Sequence, residues 1–310
     1  MARAKVKGTV GVVGLGIMGG AFARNLVASG WRVIGYDPSP ARRNEMARAG
    51  VVIAADVETL AAATPIILTS LPKPAALMAT VKAIKAARVK RRVVVELSTF
   101  HIEDKQKAER ALRAAGHVML DCPVSGTGSQ AKTGDLVIYA SGDKRAVAKL
   151  KPMFAGFSRQ SYYIGEFGNG SRMKYVANLL VAINNVATAE AMVLGMKAGL
   201  KPQAIFEMIS NGAGNSRVFE LRAPMMVKNR YDDATMKCSV WQKDMDVIGA
   251  FARKLRAPTP LFSATLPVYE AALKRGHAEH DTAAVCTVLE AKAGLKRGKS
   301  RSKRRAAASA

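Results

Sequence analysis

The chain has 310 residues, of which 49% are hydrophobic, so it can bury one large core or two moderate ones. Lysine and arginine number 48 against 23 aspartate and glutamate residues, which gives a formal net charge of +25. This excess favours contact with anionic metabolites or nonspecific contact with nucleic acid. We find no apolar run of the roughly 18 residues that a membrane-spanning helix needs, and therefore expect no membrane association. The three cysteines are far apart and form no CxxC motif, so we expect buried free thiols in the reducing cytoplasm.

The first strand pattern, Thr9–Val13, leads into the sequence GLGIMG at 14–19 and then into a helical pattern. A dinucleotide pyrophosphate needs this succession: Gly14 permits the tight turn, Gly16 lets backbone approach the phosphates, and Gly19 allows close helix packing. The next strand pattern ends at Asp37, eighteen residues after Gly19, where an acidic residue grips the adenosine ribose. The predicted dinucleotide contacts of this region are Gly14, Leu15, Gly16, Ile17, Met18, Gly19 and Asp37.

The choice of dinucleotide depends on the same acidic residue. A carboxylate at Asp37 accepts two ribose hydroxyls but repels a 2′-phosphate, which favours NAD over NADP. Arg42 and Arg43 follow closely and offset part of that repulsion, so NADP stays open as the less favoured cofactor.

Further strand patterns alternate with helical stretches through the first half of the chain, which predicts a mostly parallel sheet covered by helices. They lie at Arg32–Tyr36, Pro65–Thr69, Val93–Leu97, Val118–Asp121, Val137–Ala140 and Tyr162–Ile164. The expected fold is α/β, a Rossmann-like dinucleotide-binding domain over residues 1–167.

After Gly170 the pattern becomes helical for nearly thirty positions and ends at Gly199. No strand pattern competes in the helical segments that follow, so we expect a second, all-helical domain over residues 168–295, joined to the first by the long helix. These segments are Gln203–Ser210, Arg217–Lys228, Val240–Leu255, Phe262–Arg275 and Thr282–Ala293.

The last segment, 296–310, holds seven basic residues and no acid, which predicts a disordered basic tail able to touch nucleic acid nonspecifically. A second basic cluster lies at 82–92, where a solvated surface is the simpler interpretation.

Four blocks together resemble the β-hydroxyacid dehydrogenases, which include 3-hydroxyisobutyrate, tartronate semialdehyde, threonate and 6-phosphogluconate enzymes. The blocks are GLGIMG at 14–19, DCPVSGTGSQAKTGDL at 121–136, GNGSRMKYVAN at 168–178 and KD at 243–244. The resemblance covers residues 8 to about 293. It implies NAD-linked hydride transfer to or from the hydroxyl carbon of a small hydroxy acid, in a homodimer or homotetramer.

The resemblance also assigns roles to residues. Lys174 matches the family's catalytic lysine, which exchanges the hydroxyl proton. Asn178, one turn along the predicted helix, matches the asparagine that binds substrate and orients the lysine. Both side chains are expected in the cleft between the two domains.

Other positions are expected to bind substrate or cofactor. The turn at 125–127 could hold the substrate carboxylate with its NH groups and hydroxyls. Lys243 is expected to contact cofactor or substrate, although a salt-bridged helix surface explains it equally well. The substrate contacts are thus Ser125, Gly126, Thr127 and Lys243, and the further cofactor contacts are Leu71, Pro72, Ser98, Thr99 and Lys243.

The substrate itself is left open. Thr127 and Gln130 stand where glycine is common in the family, and these polar groups favour a polyhydroxylated, threonate-type acid. 3-Hydroxyisobutyrate and tartronate semialdehyde remain alternatives. No histidine has a carboxylate or cysteine partner at ligand spacing, so we expect no metal.

A different class of function is the competing hypothesis. The basic surface and tail are compatible with a noncatalytic, NAD-binding homologue associated with nucleic acid. Lys174 and Asn178 favour catalysis instead.

Overall fold

The computed structural model describes residues 6–297 and begins with a six-stranded parallel sheet in the order β3-β2-β1-β4-β5-β6. This is the strand order of dinucleotide-binding folds, with its switch point between β1 and β4. Its strands are β1 (Thr9–Val13), β2 (Arg32–Tyr36), β3 (Val52–Ile53), β4 (Ile66–Thr69), β5 (Val93–Glu96) and β6 (Val118–Asp121). The Rossmann-like fold expected from the sequence is confirmed.

Helices cover both faces of this sheet, so its strands are runs of buried apolar residues rather than alternating ones. Successive residues of a strand point to opposite faces, and Val12 and Val13 accordingly belong to two different hydrophobic clusters. The helices of this part are α1 (Ile17–Ala28), α2 (Pro40–Arg48), α3 (Val57–Ala63), α4 (Pro74–Ala86), α5 (Ile102–Ala114), α6 (Gly128–Lys132) and α7 (Lys144–Phe154).

A second sheet of three strands differs from the sequence-based expectation. It consists of β7 (Val124–Ser125), β8 (Val137–Ala140) and β9 (Gln160–Tyr163), with β7 antiparallel and β9 parallel to β8. The last two predicted strands therefore leave the main sheet. The two-residue strands β3 and β7 were too short to show a periodic pattern, and β9 begins at Gln160 because Gln160 pairs with Val137.

The long helix α8 (Asn169–Lys197) has 29 residues, and Gly199 follows it at φ 87°. By length and composition it is apolar enough to cross a membrane, although it contains no unbroken apolar run of the length that the sequence analysis required. A core helix of a soluble protein can have the same length and composition. Asn185 of this helix is buried and donates to the Tyr269 hydroxyl (3.0 Å) and the Thr282 carbonyl (2.9 Å), so this part of α8 packs against protein.

The chain divides into two compact units between Ala177 and Asn178, inside α8 and ten residues after the expected boundary. Residues 178–297 form helices and contain no strand in the described chain. They are the rest of α8, α9 (Pro202–Ser210), α10 (Arg217–Lys228), α11 (Cys238–Leu255), α12 (Pro260–Lys274), a 3₁₀ turn at Thr282–Ala284, and α13 (Val285–Lys292). The expected all-helical second domain is confirmed.

The three cysteines are buried free thiols, as predicted. Burial raises the pKa of Cys238 and of Cys286 to about 12.

Most of the predicted basic tail lies outside the described residues, but Arg297 is part of the fold. Its guanidinium donates to the carbonyls of Met226 (2.5 Å) and Val227 (2.6 Å) and to Glu290 Oε1 (3.0 Å). The carbonyls belong to the last turn of α10, where a cation is favoured. Placing the start of a disordered tail at residue 296 is therefore wrong for Arg297.

Candidate active site

The three glycines of the turn after β1 have different surroundings. Gly14 has φ 90°, and a Cβ there would meet the Ser70 carbonyl oxygen at 2.2 Å. A Cβ on Gly19 would meet the Gly14 carbonyl oxygen at 1.9 Å, whereas a Cβ on Gly16 would have nothing within 4 Å. Gly14 and Gly19 thus permit a tight turn and close packing, and Gly16 leaves its backbone open to an approaching pyrophosphate.

Asp37 lies at the end of β2, beside this turn. Its Oδ2 accepts the Leu15 amide at 2.8 Å and its Oδ1 accepts the Ser39 amide at 2.9 Å. Each carboxylate oxygen has a second acceptor position, so both can still take a ribose hydroxyl. Of the predicted neighbours, Ile17 is exposed and Met18 is half-buried.

The two arginines after Asp37 already have partners. Arg42 pairs with Glu45 at 3.1 Å. Arg43 donates to the carbonyls of Asp37 (2.7 Å) and Pro38 (3.1 Å). Neither guanidinium is therefore available only to the 2′-phosphate of NADP.

The loops after β4 and β5 are joined by Ser98. Its Oγ accepts the Leu71 amide at 2.9 Å, while its own amide donates to Glu96 Oε1 at 2.9 Å. Pro72 is exposed and Thr99 is half-buried. The structure thus brings the predicted residues Leu71 and Ser98 together at the carboxyl ends of neighbouring parallel strands.

The turn at 125–127 leads into α6. Gly126 has φ 133°, where glycine is favoured. The Thr127 amide donates to Gln130 Oε1 at 3.0 Å, as in a capping box, and Gln130 Nε2 donates to Asp135 at 3.2 Å. Gln130 thus bonds both the Thr127 amide and Asp135, so part of its hydrogen-bonding capacity is used within the turn. Ser125 remains half-buried beside them.

The glycines at the start of α8 allow close packing. A Cβ on Gly170 would meet the carbonyl oxygens of Asp121 and Tyr139, each at 2.5 Å. The next residue, Ser171, donates from its amide to Asp121 Oδ2 (2.7 Å) and from its Oγ to Asp121 Oδ1 (2.9 Å). Lys174 follows three residues later on the same helix and is 8% exposed.

Asn178 lies one helical turn beyond Lys174. Its Nδ2 donates to Asp244 Oδ2 at 3.0 Å, and Asp244 Oδ1 pairs with Lys243 Nζ at 2.9 Å. A carboxylate can only accept, so this bond fixes the Asn178 amide with its Oδ1 available as an acceptor. Lys243 is thus a partner of its neighbour Asp244 on α11, with 36% of its side chain exposed.

Sequence reasoning missed a buried ionic cluster. Lys105 Nζ lies 2.6 Å from Glu96 Oε2 and 2.9 Å from Asp121 Oδ1, and all three side chains are fully buried. The sequence contained a signal for this cluster, because helical spacing places Lys105 on the apolar face of α5. The buried residues of that face are Ile102, Lys105, Ala108 and Leu112.

No group of three metal-ligating side chains occurs among residues 6–297. His277 and His280 lie with their Nδ1 atoms 2.7 Å apart, and His277 Nε2 is 3.0 Å from the Thr287 hydroxyl.

Comparison with known proteins agrees with these features. Residues 9–165 match the NAD-binding domain of 6-phosphogluconate dehydrogenase, and residues 168–289 match the NAD-binding model of NADP-dependent 3-hydroxyisobutyrate dehydrogenase. The chain is 30% identical to L-threonate dehydrogenase of Cupriavidus necator, over 90% of this chain and 95% of that protein. It is 28% identical to 2-(hydroxymethyl)glutarate dehydrogenase of Eubacterium barkeri, over 92% and 96%.

The solved structures agree as well. A crystal structure of 3-hydroxyisobutyrate dehydrogenase from Salmonella typhimurium has a TM-score of 0.83 and 29% identity, covering 91% of this chain and all (100%) of that one. Psf3 in complex with NADP+ and 2-OPP has a TM-score of 0.82 and 25% identity, covering 90% and 99%. These matches do not favour the noncatalytic alternative. The chain belongs to the β-hydroxyacid dehydrogenase family and is a pyridine-nucleotide-linked hydroxyacid oxidoreductase.

Proposed function

We propose that the protein oxidises a small hydroxy acid with NAD, and that Lys174 is its general acid and base. The placement of Lys174 supports the proposal most: it lies one turn beyond Ser171, whose amide and hydroxyl are bound to Asp121 at the carboxyl end of β6. The carboxyl ends of the strands are where open parallel sheets bind their ligands. The glycine turn after β1 lies at the same edge.

The preference for NAD rests on Asp37. Its carboxylate is held beside the glycine turn and would repel a 2′-phosphate. The charge of Arg42 is offset by Glu45, whereas Arg43 donates to backbone carbonyls and keeps its full charge. Psf3, a similar structure, is in complex with NADP+, so NADP is the alternative cofactor.

The chemistry divides between proton and hydride. When NAD is bound, its nicotinamide would supply the hydride acceptor for the carbinol carbon. Lys174 in its amine form takes the hydroxyl proton, and in the reverse direction its ammonium returns the proton to the forming alkoxide. Asn178, oriented by Asp244, accepts a hydrogen bond from the substrate at its Oδ1.

The substrate carboxylate is assigned to the turn at 125–127, through the Gly126 amide and the hydroxyls of Ser125 and Thr127. Lys243 is retained as a second cationic contact. The name of the Cupriavidus relative supports a threonate-type sugar acid, with 3-hydroxyisobutyrate and tartronate semialdehyde as alternatives. We further propose a cytoplasmic homodimer or homotetramer.

A panel of hydroxy acids tests the proposal. Threonate, 3-hydroxyisobutyrate and glycerate, each with its methyl ester, are assayed with NAD and with NADP, and Asp37→Ala is assayed alongside. We expect turnover of an acid but not its ester, a higher kcat/KM with NAD, and a narrower ratio between cofactors in the variant. Equal activity on acid and ester, or an NADP preference in the wild type, would contradict the corresponding assignment.

A further inference from the structure

The buried cluster of Glu96, Lys105 and Asp121 is costly for the fold. Removing each charge from water is unfavourable, and apolar side chains of similar size would pack at lower cost. Two carboxylates here share one ammonium, at 2.6 Å and 2.9 Å. Burial raises the pKa of Glu96, and although burial opposes the charge on Lys105, the two carboxylates outweigh it and raise its pKa. Lys105 therefore stays charged. Because a buried charge is less favourable than an apolar side chain, packing alone does not explain why a lysine occupies this position.

One side of the cluster leads to the predicted dinucleotide loop. Glu96 Oε1 accepts the amide of Ser98 at 2.9 Å, and Ser98 Oγ accepts the amide of Leu71 at 2.9 Å. Two hydrogen bonds thus connect Glu96 to the loop after β4.

The other side leads to the helix that carries Lys174. Asp121 accepts both the amide and the hydroxyl of Ser171, at 2.7 Å and 2.9 Å. Its negative charge also lies at the N-terminus of α8, where an anion is favoured. Lys174 is one turn further along α8. The position of Asp121 therefore determines the position of the first turn of the helix and, with it, that of Lys174.

We propose that Lys105 is a positioning residue, which holds Glu96 and Asp121 at fixed separation and thereby fixes the Leu71 loop and the first turn of α8. Both connected segments lie within residues 6–177. This inference rests on the proposed function of Lys174. The physical reason is that proton and hydride transfer require near-attack geometry, and a displacement of about 1 Å costs on the order of 10²-fold in rate.

Two variants test the inference, one at the centre of the cluster and one on the Asp121 side. Lys105→Gln keeps two N–H donors but removes the charge, and we expect kcat per folded molecule to fall by about 10- to 100-fold. Ser171→Ala removes one neutral donor, and we expect a fall of roughly tenfold in kcat with an unchanged KM for NAD. The second variant keeps the proposal testable should the first fail to fold.

Ser158→Ala is the matched control. Ser158 is also a buried serine of the first unit, and its Oγ donates to the Phe154 carbonyl at 2.8 Å, outside the cluster. We expect this variant to keep kcat within about twofold of the wild type, because it loses one buried hydrogen bond without touching the cluster.

A double-mutant cycle separates positioning from general damage. If Ser171 acts through Lys174, then Ser171→Ala should change kcat by less than about twofold in a Lys174→Ala background. An equal factor in both backgrounds would overturn the inference, as would wild-type turnover in both Lys105→Gln and Ser171→Ala.

Amide hydrogen exchange gives a readout that does not need turnover. In Lys105→Gln we expect faster exchange at the Ser171 and Leu71 amides, with exchange at the Ser158 amide unchanged. Unchanged exchange at the first two amides would also overturn the inference. High turnover in Lys174→Ala would instead refute the proposed function, and the exchange result would still decide on the cluster.

Discussion

The two units contain buried charges of different kinds. In the second unit, Arg222 and Asp281 form a one-to-one pair, with Arg222 Nη1 at 2.7 Å and 2.8 Å from the two carboxylate oxygens. Asp281 also accepts the amides of Thr235 (2.8 Å), Met236 (3.1 Å) and Ala283 (3.0 Å). These bonds hold the loop before α11 and the 3₁₀ turn together.

The first unit's cluster is less balanced. Lys105 serves two carboxylates, and each carboxylate continues to a backbone amide at a strand or helix end: Ser98 for Glu96, and Ser171 for Asp121. Both clusters connect to backbone amides, but the contacts of Glu96 and Asp121 lead to the segments that carry the proposed site residues Leu71 and Lys174. The comparison teaches that burial of charge alone does not identify a functional residue; what differs between the two clusters is the segment that the onward contacts reach.

The largest expected effect is on stability. Asp281→Asn leaves the Arg222 guanidinium buried without a counter-charge, so we expect the free energy of unfolding to fall by about 3–5 kcal/mol. Urea denaturation measures this loss, and kcat per folded molecule should stay within about twofold. Asp233→Asn is the control, because the side chain of Asp233 is 98% exposed and its loss should change stability by less than about 0.5 kcal/mol. A large fall in kcat for Asp281→Asn would remove the distinction between the two units.

The next effect is a pH dependence. Burial raises the pKa of Glu96 above its usual value of 4.5, and this effect exceeds the opposite effect of the Lys105 charge. The folded state therefore binds the carboxyl proton of Glu96 more tightly than the unfolded state does. Its contribution to stability is full below pH 4.5 and is lost as the pH rises through the raised pKa. Since glutamine stays neutral, Glu96→Gln should gain stability relative to the wild type as the pH rises.

Glu45 provides a comparison of opposite sign. Hydrogen bonds from Arg24 and Arg42 lower its pKa, so its contribution is present above its usual pKa and is lost as the pH falls. Glu45→Gln should therefore lose stability relative to the wild type as the pH rises. Urea denaturation from about pH 3 to about pH 8 measures both differences, because the Glu45 difference develops near and below pH 4.5 and the Glu96 difference above it. Parallel trends in the two variants would show that Glu96 is not held at a raised pKa.

The smallest effect concerns the end of the described chain. Arg297→Ala removes a cation from the last carbonyls of α10, and we expect a loss of about 1–3 kcal/mol in the free energy of unfolding. A chain that ends at Ser300 keeps Arg297 and should keep its melting temperature. Should the truncation destabilise the protein as much as Arg297→Ala does, the stabilising contacts would have to lie beyond Ser300.

The sequence predicted those features that depend on local order. The strand, glycine turn and helix at Thr9–Ala28 are consecutive, and so their chemistry could be inferred from spacing alone. The buried cysteines and the helical second unit also followed from composition and periodicity. The assignment of Lys174 and Asn178 came from a motif and stays a prediction until it is tested.

The remaining features depend on contacts between distant residues. The bond between Asn178 and Asp244 joins positions 66 apart, and that between Ser171 and Asp121 joins positions 50 apart. No local pattern encodes such pairs. Two missed features were readable: the T-x-x-Q spacing of Thr127 and Gln130 is a capping box, and Lys105 falls on the apolar face of α5.

The most direct test of the account is turnover by Lys174→Ala at saturating NAD and substrate. Lys197→Ala is the control, because Lys197 is an exposed lysine at the other end of the same helix. We expect Lys174→Ala to lower kcat by about 10²- to 10⁴-fold with nearly unchanged NAD affinity, since only proton transfer is removed. Lys197→Ala should match the wild type. Retention of most of the wild-type kcat in Lys174→Ala would contradict the assignment of Lys174 as the general acid and base.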